Sequence, residues 1–199
     1  MKKIILSILF ISEILMIGTV YSKTINKDIS DELLRMHILA NSDNEFDQSL
    51  KIKVRDFLIK YINDEKLASK EDVIQSVKNI QTEIDDFLIS EGVMYSCKVS
   101  YSNSMFDTRT YSDLSIPAGN YETIKVLLGE GNGKNWWCIA YPPLCFTESV
   151  TGEMSDKGKK ELKAILNDET FNTINGETKE YQIKFKTVEI FNSLLQKIN

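Results

Sequence analysis

The apolar residues of this chain change their spacing part-way along, and that change restricts the fold more than any other feature. Beyond residue 48 they recur every three to four positions, as in helices with one buried face. In the first such segment Leu50, Val54, Phe57, Leu58 and Tyr61 form one stripe, with Lys51, Arg55, Asp56 and Lys60 off it. In the second, Ser69 can cap the start with Asp72 three residues on, and Val73, Ile74, Val77, Ile80, Ile84, Phe87 and Leu88 mark the buried face. Gly92 supplies a stop. From Met94 the spacing drops to two, the period of strands. Tyr95, Cys97, Val99 and Tyr101 share a face, and "YETIKVLLG" puts Ile124, Val126 and Leu128 on one side. "NWWCIAYP" is a further apolar strand, halted by Pro142 and Pro143.

A period-two stretch also precedes the helices. In "ELLRMHILA", Leu34, Met36 and Ile38 alternate with Arg35 and His37, which reads as a half-buried strand followed by the turn-rich "NSDNEFDQ". "NSMFDTRTYSDLSIPAG" is loop-like, with room for a short strand. If the strands on either side of "GEGNGK" pair, that segment is their hairpin loop. Further on, "KKELKAILND" reads as a short helix and "ETFNTING" as loop. "EYQIKFK" alternates Tyr181, Ile183 and Phe185 as a strand and leads into a last helix with Val188, Phe191, Leu194, Leu195 and Ile198 on one face. No internal repeat or low-complexity tract interrupts residues 31–199. The expectation is a single α+β domain over 31–199, a mixed or antiparallel sheet with helices packed on it. At 199 residues and 42% hydrophobic composition the chain can bury a core of ordinary size.

The N-terminus bears on compartment. "MKK" is a short positive region, "IILSILFISEILMIGTV" is rich in Ile and Leu, and "VYS" places Val20 and Ser22 where a signal peptidase reads small residues. Glu13 is the one charge in the apolar run. Residues 1–22 therefore read as a secretory signal peptide, with an uncleaved anchor as the rival, and 23–30, "KTINKDIS", as a linker. Outside the cytoplasm a disulfide can persist, and three cysteines leave at least one thiol over. The net charge of −5 and the lack of a Lys/Arg run argue against nucleic acid and anionic lipid as partners.

The segment "GEGNGKNWWCIAYPPLCF" concentrates glycine, proline, tryptophan and cysteine. It is not a phosphate loop: Leu128 stands where the first glycine of a P-loop belongs, and Asn135 where the hydroxyl belongs. Lys134 likewise replaces the last glycine of a dinucleotide fingerprint. Cys138 and Cys145 are spaced C-x6-C, unlike a zinc knuckle or a thioredoxin motif. They can bridge if the Pro-Pro bend turns the chain back, or serve as small buried apolar residues. Cys97 reads as core. His37 is the only histidine, so any Ser–His or Cys–His device must use it; no G-x-S-x-G elbow is present. The 29 carboxylates show no spacing that singles out an acid/base pair. Trp136 and Trp137 are neighbours on a strand, so one should face the core and the other outward, where it either anchors a partner or is covered by a loop or helix. These residues point to no enzyme, no cofactor and no metal.

"RMHILANSDNEFDQSLKIKVRDFL" and "FDTRTYSDLSIPAGNYETIKVLLGEGNGKNWWCIAYPPLCF", together with the signal-like start, resemble the stage II sporulation protein R family of endospore-forming Firmicutes. The resemblance covers most of residues 35–146; Phe106-Asp107 departs from the Phe-Pro expected before T-R-T-Y. It implies a protein made in the forespore and exported into the space between forespore and mother-cell membranes. There it would activate a membrane-embedded aspartic protease that processes pro-sigma-E. The polar and aromatic residues inside these motifs then become candidates for contact with the protease's extracytoplasmic surface: Arg35, His37, Asn41, Asp43, Thr108, Arg109, Tyr111, Lys134, Asn135 and Trp136. Turn formation is the plain alternative for Asn41 and Asp43, and ion pairing for Arg35 and Arg109. The rival functions are a small cell-envelope hydrolase using His37 and a module binding cell wall or a small ligand through its tryptophans.

Overall fold

The structure, a computed structural model, describes residues 23–111, 114–144 and 156–175, with Phe10, Glu13, Met16, Val20 and Met154. The signal-like segment lies mostly outside the described residues, as do Cys145 and the strand and helix expected after residue 176. Among the described residues no helix is long and apolar enough to cross a membrane. The elements run α1 (23–32), β1 (Leu34–Leu39), α2 (Glu45–Asp64), α3 (Lys70–Gln75), α4 (Val77–Ser90), β2 (Cys97–Phe106), β3 (Arg109–Tyr111), β4 (Leu114–Ile116), β5 (Gly119–Leu128), β6 (Asn135–Tyr141), α5 (Asp156–Ile165) and α6 (Asp168–Ile174). The fold is α+β, as the spacing implies.

Four strands form a mixed sheet in the order β2-β5-β1-β6, and β3 and β4 form a separate two-stranded sheet. β1 runs parallel to β5 and antiparallel to β6, while β2 is antiparallel to β5. One face of the large sheet carries Met36, Ile38, Val99, Ile124, Val126 and Cys138 against Leu50, Val54 and Leu58 of α2 and Ile80, Ile84 and Leu88 of α4. The opposite face is covered over part of its length by a second core. Phe106, Tyr121 and Ile139 meet Ile25, Ile29 and Leu33 there, with Leu162, Phe171 and Ile174.

This two-sided burial changes the reading of β1. Instead of one wet face it has burial on both, so Arg35 is 0% exposed and His37 7%. The second core also changes the reading of 23–30. Those residues are helical rather than a linker, because Ile25 and Ile29 insert into that core. Lys51 and Arg55, off the apolar stripe of α2, are buried as well.

Asn44 caps α2 by accepting from the Asp47 amide. The Ser69–Asp72 capping box forms, yet the helix it starts ends at Ser76 and restarts as α4. Ser76 donates its hydroxyl back to the Asp72 carbonyl at 2.8 Å, the local competition that bends helices. Gly92, at φ 76°, closes α4 as expected. β2 reaches further than its apolar half, through Phe106, and the β3–β4 hairpin occupies the stretch read as loop. "ETFNTING" contains α6, capped by Asn167, which accepts from the Thr170 amide; burial of Thr170, Phe171 and Ile174 outweighs weak helix formers.

β5 and β6 are not hairpin partners, since β1 lies between them. Residues 129–134 step over the C-terminal end of β1, a span of two strand spacings, about 10 Å, well within the reach of six residues.

Candidate functional site

The step over β1 locks two motif segments together. Ala40 accepts from the Gly133 amide at 2.9 Å, and Asn41 accepts from the Asn132 amide at its carbonyl, 3.1 Å, and from the Glu130 amide at Oδ1, 3.0 Å. Asp43 Oδ1 accepts from the Lys134 amide at 2.7 Å. The glycines permit this approach. A Cβ on Gly133 would sit 2.2 Å from the Ser42 carbonyl oxygen. Gly129 takes φ +55° against Asn41 Oδ1.

Asp47, on the first turn of α2, holds the clasp from beneath. It is 3% exposed. Its Oδ2 accepts from Ser42 Oγ (2.6 Å), Asn41 Nδ2 (2.9 Å) and Asn44 Nδ2 (3.0 Å), and its Oδ1 from Tyr95 OH (2.7 Å). Burial works to raise the Asp47 pKa; the bonds from Ser42, Tyr95, Asn41 and Asn44 outweigh it and hold the carboxyl below its ordinary range. Burial, helped by the Asp47 carboxylate, drives the Tyr95 phenol well above its ordinary range. Lys51 reaches up to the Lys134 carbonyl (3.0 Å) and Gln48 Oε1 (2.8 Å); burial lowers its pKa, against the pull of Asp43.

Next to the clasp, His37 Nε2 and Asn135 Oδ1 lie 2.6 Å apart, and the imidazole stacks on Trp137 with centroids 3.4 Å apart. With Oδ1 accepting, Nε2 carries the proton. Burial lowers the His37 pKa, opposed by the Asn135 bond and reinforced by Lys125 on the neighbouring strand. Trp137 also meets Phe106 edge-on at 4.8 Å. Both tryptophans are half-buried, which fits the alternative of a covered outer ring and not a fully outward anchor. Trp136 lies on the helix side beneath the Arg55 guanidinium, 4.6 Å from its ring centroid.

Of the candidate contact residues, the fold gathers His37, Asn41, Asp43, Lys134, Asn135 and Trp136 at one end of the large sheet, and Asp43, Lys134 and Asn135 are exposed. Arg35 is corrected: it lies wholly inside, its guanidinium 4.3 Å from the Phe106 ring centroid and 5.4 Å from that of Tyr121. It supports the second core instead of offering a contact. His37 is almost as covered and acts on this end by holding Asn135. Thr108 and Arg109 belong to the β3–β4 region, where Thr108 Oγ1 accepts from the Ala118 amide at 3.1 Å. Tyr111 ends β3 opposite Leu114. The β3–β4 pair is a sheet separate from the one that carries the clasp.

Asp47, Tyr95 and Lys51 escaped the sequence reading. Asp47 falls in the segment read as the turn-rich "NSDNEFDQ", and Tyr95 reads as one more apolar strand residue. The only signal was Asn44 three residues before Asp47, the spacing of a cap whose side chain meets its own N3 residue.

This clasp is a rigid polar surface built from two loops, with no hydroxyl or thiol hydrogen-bonded to His37 among the described residues. Cys97 is buried, and burial together with Asp85 pushes its thiol up to about 12, far from a nucleophile's range. Cys138 is 4% exposed.

The clasp and both of its segments fall inside residues 30–151, which match the family model for stage II sporulation protein R. The chain belongs to that family. It is also 32% identical, over 96% of its length and 94% of the relative's, to the stage II sporulation protein R of Bacillus subtilis (strain 168). Family membership gives it a role in sporulation. No solved structure matches the chain.

Proposed function

We propose that this chain is the exported signal of endospore formation that activates a membrane-embedded aspartic protease processing pro-sigma-E. The family match carries the reading, since the resemblance to stage II sporulation protein R is what implies this role. The clasp supports it: Asp43 and Lys134 stand exposed on the two loops and Asn135 at the start of β6, held by the hydrogen bonds across the clasp, so little ordering remains to be done on binding. Activation follows from tighter binding of this surface to the active state of the protease than to its resting state. Residues 1–22 act as the export signal, and Cys138 pairs with Cys145 after export, adding about 2–3 kcal/mol of stability through a short closed loop.

The test is co-expression of protease and pro-sigma-E in a non-sporulating host, with the full chain, without it, or with residues 2–22 deleted. Processed sigma factor should appear only with the full chain. Processing in its absence, or without export, would overturn the proposal.

A further inference from the structure

The two outer strands of the large sheet are not equally protected. On β6, Cys138, Ile139 and Ala140 are all buried although the strand is at an edge. On β2 only the first half is covered. The Cys97 amide donates to Asp85 Oδ1 (2.7 Å) and the Val99 amide to Gln81 Oε1 (3.0 Å), so two side chains of α4 stand where another strand would pair. Backbone direction alternates along a strand, so Tyr101, Asn103 and Met105 present their N–H and C=O groups on the same outer edge. Among the described residues nothing meets them there. Tyr101 is 43% and Met105 66% exposed, large side chains standing beside a bare edge.

We propose that this half of β2 pairs antiparallel with the same strand of a second copy of the chain, about a two-fold axis at Asn103. The charge pattern selects that occupant. Residues 99–106 carry no charge, with Lys98 before them and Asp107 after them, both exposed. Antiparallel self-pairing brings Lys98 of each copy within one residue of Asp107 of the other; a parallel arrangement would set like charges together. In this register Asn103 faces itself, and Tyr101 faces Met105 of the second copy. Each such pair exchanges two backbone hydrogen bonds, and the exposed aromatic ring gains a thioether neighbour. The contact is isologous, so it closes at two and does not propagate. It stands independently of export and of the protease.

Sedimentation equilibrium of the full chain tests it. The apparent mass should rise twofold with concentration in the wild type and stay at the monomer value in Met105→Lys and Asn103→Pro, with circular dichroism unchanged. The Asn103 amide points outward, so proline removes no internal bond. Facing residues in such a pair have Cα atoms about 5.5 Å apart, within disulfide reach. Mild oxidation should therefore link Asn103→Cys into dimers and leave Ser102→Cys, which faces Ser104 of the second copy, largely unlinked. A chain that stays monomeric throughout, a dimer indifferent to both edge variants, or equal cross-linking at 102 and 103 would overturn the inference.

Discussion

Replacing Asp47 with alanine removes the carboxylate under the clasp and leaves every donor that served it in place. Asn44 is exposed and can turn to water, and the Ser42 hydroxyl rotates freely about its own C–O bond to another acceptor, but the Tyr95 hydroxyl and the Asn41 amide are part-buried and aimed at the carboxylate at 2.7 and 2.9 Å. A stranded donor of this kind costs about 1–3 kcal/mol, so the two together come to about 4 kcal/mol. For a chain of this size that is a fall in Tm of roughly 8–16 °C. Urea denaturation followed by tryptophan fluorescence reads the loss directly, with Trp136 and Trp137 both close to the clasp. Tyr95→Phe alone strands no donor but takes this bond from the buried Asp47 Oδ1, and should cost about 1.5–3 kcal/mol. In the double variant the two losses should fall short of additive, because Tyr95 and Asp47 share one bond. A loss under about 1 kcal/mol for Asp47→Ala, or strict additivity, would refute the idea that this carboxylate holds the two loops together.

Acid should act through the same residue. The Asp47 pKa is held below its ordinary 3.8 in the folded chain, so its stabilisation is complete above that pH and is lost as pH falls further; the slope of stability against pH should flatten there in Asp47→Asn. His37, lowered from 6.5 by burial, should stay neutral at pH 7, and protonation should destabilise the fold as pH drops below 6.5; an imidazole titrating above 6.5 by NMR would contradict its placement. Gly133→Ala should open the clasp, costing about 2–3 kcal/mol, because the Ser42 carbonyl leaves no room for the methyl group; a variant as stable as wild type by thermal melting would show that the loop passes elsewhere. Cys97, with its thiol near 12, should resist thiol reagents until the chain unfolds.

Spacing of apolar residues located most elements, since it reports which side of a helix or strand is dry. It could not report how many sides are dry. Arg35 and His37 alternate with Leu34, Met36 and Ile38, and that pattern normally means a wet face; here the polar side chains are covered by Phe106, Tyr121 and Trp137. Nor does spacing name neighbours. β5 and β6 look like a hairpin, and only the bonds from 129–134 to Ala40, Asn41 and Asp43 reveal the strand between them. At the clasp, Asn41, Asp43, Lys134 and Asn135 were visible through the motifs. Asp47 and Tyr95 were not, because their meaning lies in a contact across 48 residues of chain.

The account turns on the clasp as the surface that meets a partner. Its most direct measurement is the extent of pro-sigma-E processing by Lys134→Glu, set beside Lys60→Glu on the exposed side of α2. Both changes are at exposed positions and should leave the melting temperature within a few degrees of wild type. If the clasp is the contact, Lys134→Glu should lower processing at limiting protein by about tenfold, an affinity loss of about 1.4 kcal/mol, and Lys60→Glu should leave it unchanged. Equal processing by both variants, at the wild-type level, would contradict the account.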